Sequence, residues 1–136
     1  MAVAGDIIEI TVNHPTLGTA SFFPKAAEDS EYDLGGFASD DDENGITGSG
    51  EMIDKINNRR WSFGAPIAWD MNVRDDLSIL KKLQASPVLG DWTITHINGV
   101  VHGGKGKPVG ALTGNGNAGT IDLKVAGSNG MKKIIG

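Results

Sequence analysis

The residues best spaced for chemistry lie in DDDENGITGSGE, residues 40 to 51. Asp40, Asp42, Asn44, Gly45 and Glu51 match the calcium-loop pattern D-x-[DN]-x-[DN]-G-x5-E, in which oxygens at loop positions 1, 3, 5 and 12 surround the ion and the glycine permits a tight turn. Such a loop works between two amphipathic helices. Here YDLGGFAS ahead of Asp40 carries a Gly-Gly pair, and Thr47 stands where an aliphatic residue usually sits. A solvated acidic loop explains the same residues more simply. A monomeric β-rich module that binds Ca²⁺ or another ligand through loop 40–51 is the alternative reading of the chain.

The other candidate motifs fail on their surroundings. Gly99 to Lys105 nearly spells a P-loop, but Gly106 replaces the hydroxyl that would hold Mg²⁺, and Pro108 sits where a phosphate-capping helix should begin. GNGNAG, residues 114 to 119, satisfies G-x-G-x-x-G yet runs into the strand-like TIDLKV, so no helix N-terminus faces a pyrophosphate, and a turn is expected. His14, His96 and His102 are scattered, without cysteine partners or H-x3-H spacing. No serine lies in a G-x-S-x-G elbow. The pair Asp75/Asp76 suits a helix N-terminus. The expectation is a protein with no catalytic residues, no cofactor and no metal.

Periodicity gives the elements that position these residues. DIIEITVN alternates, with Ile8, Ile10 and Val12 on one side and Glu9, Thr11 and Asn13 on the other, and predicts a half-buried strand. From Lys25 to Gly50 periodicity is lost and the chain turns acidic and glycine-rich, longer than the ~12–15 residues usual for a structureless connection. RRWSFGAPIAWD, residues 59 to 70, places Trp61, Phe63, Ala65, Ile67 and Trp69 on one face and small or polar residues on the other. Pro66 within it predicts an edge, a bulge or a break into two shorter strands. One helix is predicted at about 72–85: Asn72 as N-cap, a stripe of Val73, Leu77, Leu80 and Leu83, lysines 81 and 82 near its end, and Pro87 as the stop. DWTITHINGVVHGG predicts two strands around a turn at Asn98-Gly99, and TIDLKVAG a strand that buries Ile121, Leu123 and Val125. The tryptophans Trp61, Trp69 and Trp92 are expected to anchor the core. A secreted carbohydrate-binding sandwich would instead expose Trp61 and Trp92.

Composition limits the partners. The length of 136 residues fits a single domain, 1–136, and 20 glycines imply many turns or close backbone approach. There is no cysteine, which suits a reducing cytoplasm. MAVAGDIIEITV lacks a basic start and its apolar run is broken by Asp6 and Glu9, so no secretory signal is expected; no run reaches the ~20 apolar residues of a membrane span. Ten of the seventeen acids fall between Glu28 and Asp54, and the net charge is −5. Stable nucleic-acid binding is disfavoured, because it needs cations to meet phosphates, whereas transient contact with DNA is not.

The fold class expected is mainly β (α+β): an antiparallel β-sandwich or half-barrel, one flanking helix at about 72–85 and a long acidic loop at about 25–50. With the phrases GITGSGEMIDKINNRRWSFGAPIAWDMN, WTITHINGVVHGGKGKPVG and GTIDLKVAG, the pattern resembles the tail tube proteins of tailed bacteriophages and related contractile injection systems over nearly the whole chain. The resemblance implies a structural virion protein that forms hexameric rings, stacked into a tube that conducts DNA into the host. It implies tail sheath, baseplate or tip, and terminator proteins as partners. It implies assembly in the bacterial cytoplasm and residence in the virion tail, with no membrane insertion. Six sheets would close an inner barrel with a dry face toward each core and a face of small and polar residues toward the channel, hiding their edges. On this resemblance the acidic loop reaches a neighbouring subunit and orders on assembly. The inter-subunit contacts are then Asp40, Asp41, Asp42, Glu43, Arg59 and Arg60, and the candidates for the channel lining are Asp54, Ser62, Asp70, Thr120, Asp122 and Lys124. A negative channel lets DNA slide without sticking.

Overall fold

The computed structural model describes residues 4–39, 45–70, 75–128 and 130–135. In chain order the strands are β1 (Ile7–His14), β2 (Gly18–Phe22), β3 (Glu31–Asp33), β4 (Gly36–Ser39), β5 (Gly45–Ile46), β6 (Met52–Ile53), β7 (Ile56–Arg59) and β8 (Trp61–Ala68). Helix α1 (Asp76–Ala85) follows, then β9 (Gly90–His96), β10 (Val101–Pro108), β11 (Thr113–Asn115), β12 (Thr120–Gly127) and β13 (Lys132–Ile135). The architecture is the expected one: mainly β and antiparallel, with one helix.

The main sheet runs β2-β1-β9-β10-β12-β8-β3, with β11 beside β12 and β13 beside β10. It curls far enough for its two ends to meet. Just past β2, Pro24 bridges Ile67 of β8, Lys25 N–H donates to the Pro66 carbonyl at 2.9 Å, and Ala68 N–H donates to the Phe23 carbonyl at 2.8 Å. Pro66 is tolerated at this seam. The N–H it lacks would point toward the same neighbour as its carbonyl, in the gap between the last β3 partner, Gly64, and the Pro24 bridge. The edge, bulge or break predicted from Pro66 does not occur: β8 runs unbroken from Trp61 to Ala68, with β12 in continuous register on one side and β3 and Pro24 on the other, and the chain is interrupted instead at Arg60, between β7 and β8.

Inside the curl lie Ile10, Val12, Phe22, Trp61, Phe63, Ile67, Trp92, Ile94, Ile121, Leu123 and Val125, all buried. Trp61 and Trp92 are 0% and 1% exposed, which overturns the carbohydrate-platform reading. Each indole N–H finds a carbonyl of β10: Trp61 Nε1 donates to Lys105 O at 3.1 Å and Trp92 Nε1 to Gly106 O at 2.9 Å. That satisfies the polar end of a large apolar group.

Two strand details depart from the periodic reading. In β1 the partners of Ile7 and Glu9 are the consecutive His96 and Thr95, so Ile8 is the extra residue of a bulge. The bulge resets the alternation: Ile7 turns inward and Ile8 is exposed. The β9–β10 turn closes through Gly99 N–H to His96 O at 2.9 Å, with Gly99 alone at positive φ (+90°). It is a three-residue hairpin connection in place of the two-residue Asn-Gly turn.

The helix begins at Asp76 and not at about 72; Asn72 and Val73 lie outside the described residues. Asp75 adopts a left-handed conformation (φ 51°) that an α-helix cannot continue. The buried Asp76 carboxylate accepts the Asp70 N–H at 3.0 Å, while its own N–H donates to the Asp70 carbonyl at 3.3 Å. This reciprocal pair ties the helix entry to the end of β8. Leu80 and Leu83 are buried in the core, with Leu77 half-buried beside them. Each of the two buried leucines contributes about 2 kcal/mol of burial.

The segment at 25–50 is not a structureless loop. Its described parts contain β3, which extends the main sheet along β8, and β4 and β5, which pair with β7 and β6. These strands are two to four residues long, too short to show a period of two.

Candidate functional site

Two surfaces carry the residues that the sequence singles out. The first is the outward face of β3, β8 and β12. Because directly paired residues project to the same side, the register pairs Asp33 with Ser62, Glu31 with Gly64, Lys124 with Gly64 and Asp122 with Pro66 set these residues in adjoining rows. Thr120, opposite Ala68, completes the face. Small residues on β8 form a shallow floor with two recesses, one lined by Glu31, Asp33 and Lys124 and the other by Asp29, Glu31 and Asp122. Four of the six lining candidates, Ser62, Thr120, Asp122 and Lys124, thus come together. Asp54 does not join them: it accepts a hydrogen bond from the Ser39 hydroxyl, linking the strands on either side of residues 45–53. Asp70 belongs to the helix entry.

The inner side of the same strands is apolar except at one point. Tyr32 of β3 meets the edge of Phe63 at 5.0 Å between ring centroids and lies 5.4 Å from the His102 ring. Burial pushes the Tyr32 phenol up to about 12. Burial, with the Lys133 ammonium adding to it, holds the His102 imidazole below its ordinary range. His102 sits with an aromatic and a cation, and among the described residues no carboxylate bonds to its Nδ1 to orient it as a general base.

The second surface is an arm. β4 and β7 form a two-stranded ribbon, Gly36 opposite Arg59 and Ser39 opposite Ile56, and β5 and β6 form a hairpin beyond it. None of these strands pairs with the main sheet. The hairpin turn is closed by Thr47 N–H to Glu51 O at 2.7 Å and Gly50 N–H to Thr47 O at 2.9 Å, with Gly50 at φ +93°. Apolar side chains point to solvent along it: Phe37 is 78% exposed, Ile46 72% and Met52 65%, and Ile53 and Ile56 are also exposed. Arg59 ends the ribbon and Arg60 follows it, both exposed. Sequence reasoning missed these apolar residues because they are isolated among glycines and acids.

The chemical motifs resolve into structure. Asp40, Asp41, Asp42, Glu43 and Asn44 lie outside the described residues. Glu51, the last position of the calcium pattern, sits between the hairpin turn and β6, and the elements flanking the pattern, β4 and β6, are strands where an EF-hand has helices. Among the described residues no group of three or more histidine, aspartate or glutamate side chains is gathered to hold a metal ion. Of the P-loop-like stretch, Gly99 is in the β9–β10 turn and Gly104 lies on β10, where it and Gly106 make room for the Trp61 ring. GNGNAG is a turn between β11 and β12, held by the Asn115 side chain accepting the N–H groups of Asn117 and Ala118 at 3.1 and 3.0 Å. His14 is buried; its Nδ1 accepts the Thr16 and Leu17 N–H groups at 3.1 and 3.0 Å and its Nε2 lies 3.0 Å from the Val88 carbonyl. With Nδ1 accepting, Nε2 carries the proton, and His14 is a clip between the β1–β2 turn and the chain after α1. No described helix is long and apolar enough to cross a membrane. Comparison of the chain with protein-family models and with curated proteins finds no match.

Proposed function

We propose that the chain is a structural subunit that assembles with copies of itself into stacked hexameric rings, the tail tube of a bacteriophage-like particle through which DNA passes. The observation that carries the reading is the arm of residues 36–59. A lone two-stranded ribbon is marginally stable in water at best, and this one adds exposed Phe37, Ile46, Met52, Ile53 and Ile56. An element of that kind is suited to a surface that another copy supplies. The small-residue floor of β8, with Asp29, Glu31, Asp33 and Asp122 along it, supports the same reading, because a phosphate polymer slides past carboxylates and does not bind them. Sheath, baseplate or tip, and terminator proteins are the further partners of such a tube, and the virion tail is its place.

Sedimentation and negative-stain microscopy of the purified chain over a rising concentration series test the proposal. Rings or hollow rods with sixfold end views support it. A compact single subunit at every concentration overturns it, and saturable Ca²⁺ binding by that monomer would favour the calcium-module alternative.

A further inference from the structure

The sheet face that the tube reading turns toward DNA is not acidic throughout. Lys107 is opposite Ala126 and Ala126 is opposite Ser62, so Lys107, and Lys105 two residues before it, project to the same side as Ser62, Asp122 and Lys124. Lys132 of β13 is opposite Gly103 and joins that side. Where β10 passes from β13 to β12 the face is hollowed into a recess of about 240 Å³, lined by the backbone of Gly103, Gly104 and Gly130 with Lys105, Ser128 and Lys132. Lys105 and Lys132 are exposed. Asp91 lies opposite Lys105 on β9, yet among the described residues none of Lys105, Lys107 and Lys132 forms an ion pair. Unpaired lysines on a channel wall would hold phosphate and stop the sliding that the reading requires.

The arm carries the opposite charge. Residues 28–54 hold ten acids and no cation, whereas residues 101–136 hold five lysines and one acid. Asp40, Asp41, Asp42 and Glu43 fall between β4 and β5, and Glu51 stands exposed beside the hairpin turn. The arm leaves the sheet at the rim of the recess, where Gly36 packs against Gly130. Resting on the self-assembly proposed above, we infer that the acidic arm of one copy, through residues 40–43 and Glu51, seats on the lysine recess of a neighbouring copy, its carboxylates against Lys105, Lys107 and Lys132. Arm and recess are different surfaces of the chain, so the contact is heterologous and repeats from copy to copy, as a ring or an extending tube requires. It also covers the cations that would otherwise grip DNA. The carboxylates spaced like a calcium loop meet ammonium groups in place of a metal ion.

Charge exchange between two variants tests the contact. The arm variant carries Asp42→Lys and Glu51→Lys, the recess variant Lys105→Glu and Lys132→Glu, and each is first matched to the unaltered chain by near-ultraviolet circular dichroism. Either variant alone should need at least about tenfold more protein to assemble, because like charges then face each other at every contact. An equal mixture should assemble as the unaltered chain does. In it every basic arm finds an acidic recess on its neighbour, and every acidic arm a basic one.

Variants that assemble as readily as the unaltered chain, or a mixture no better than its parts, overturn this contact and leave the tube reading standing. A recess variant that assembles normally but loses a low-salt retention on immobilised duplex DNA shown by the unaltered chain gives the lysines to phosphate, and overturns it as well. An unaltered chain that stays monomeric at all concentrations removes both the contact and the tube.

Discussion

Trp61 dictates the residues around it. A Cβ on Gly104 would stand 2.6 Å from the indole Nε1, the atom that donates to Lys105 O, so glycine is required there for packing and not for phosphate. Gly104→Ala is expected to cost about 2 kcal/mol through overpacking, read as a lower urea midpoint at unchanged slope. Titration makes a second residue-scale prediction. His102 is held below its ordinary value of 6.5 in the folded chain, so on acidification the unfolded chain takes up the proton first. Stability present above pH 6.5 is therefore lost as pH falls through and below that value, and His102→Gln should flatten the loss in a pH series of thermal melts. Tyr32 has the opposite sign. The unfolded phenol ionises near 10 while the folded one resists to about 12, so stability declines as pH rises through that window, and Tyr32→Phe should remove the decline. None of this polar detail was legible beforehand. The tryptophans could be assigned to the core from their spacing, but the burial of Tyr32 depends on β3 pairing with β8, a contact between residues thirty apart in sequence.

Among the elements, the arm has a prediction of its own. Gly36 and Arg59 lie directly opposite each other, so residues 37–58 can be replaced by a two-residue Asn-Gly turn without disturbing β3 or β8. The shortened chain is expected to keep its near-ultraviolet circular dichroism, because every buried core residue among the described residues lies outside the excised stretch, and to lose all concentration-dependent assembly. Retained assembly would move the oligomer contact to another surface. The elements readable from sequence were those with enough residues to show a period: β1, β8, β9, β12 and the second half of the helix. Those that escaped depend on tertiary partners. The bulge at Ile8 is decided by the register against β9, and the helix start by the exchange between Asp70 and Asp76. The short arm strands exist only as pairs, each supplying the other's hydrogen bonds.

For the whole molecule, charge and curvature set the expectations. Arg59 and Arg60 stand at the base of an otherwise acidic arm segment, so reversing both to glutamate should block the stacking of rings while the subunit still folds. Unchanged tube length in micrographs would show that these cations do not join rings. The sheet makes the sharper prediction. Its curl closes the apolar side around Trp61 and Trp92 and leaves the other side of β8 and β12 with Ser62, Gly64, Pro66, Asp122 and Lys124. If six copies present that side to a channel, it is wet but enclosed. Ser62→Cys and Asp122→Cys chains assembled into tubes should then react with a small maleimide and resist one carrying a long polymer, whereas the dissociated subunits react with both. Asn98→Cys, away from this face, serves as the reference for an outer position. Equal reaction of assembled Ser62→Cys and Asp122→Cys with the bulky reagent would put the face on the outside of the tube. The carboxylates of this face would then meet a protein partner, and DNA would pass along some other surface.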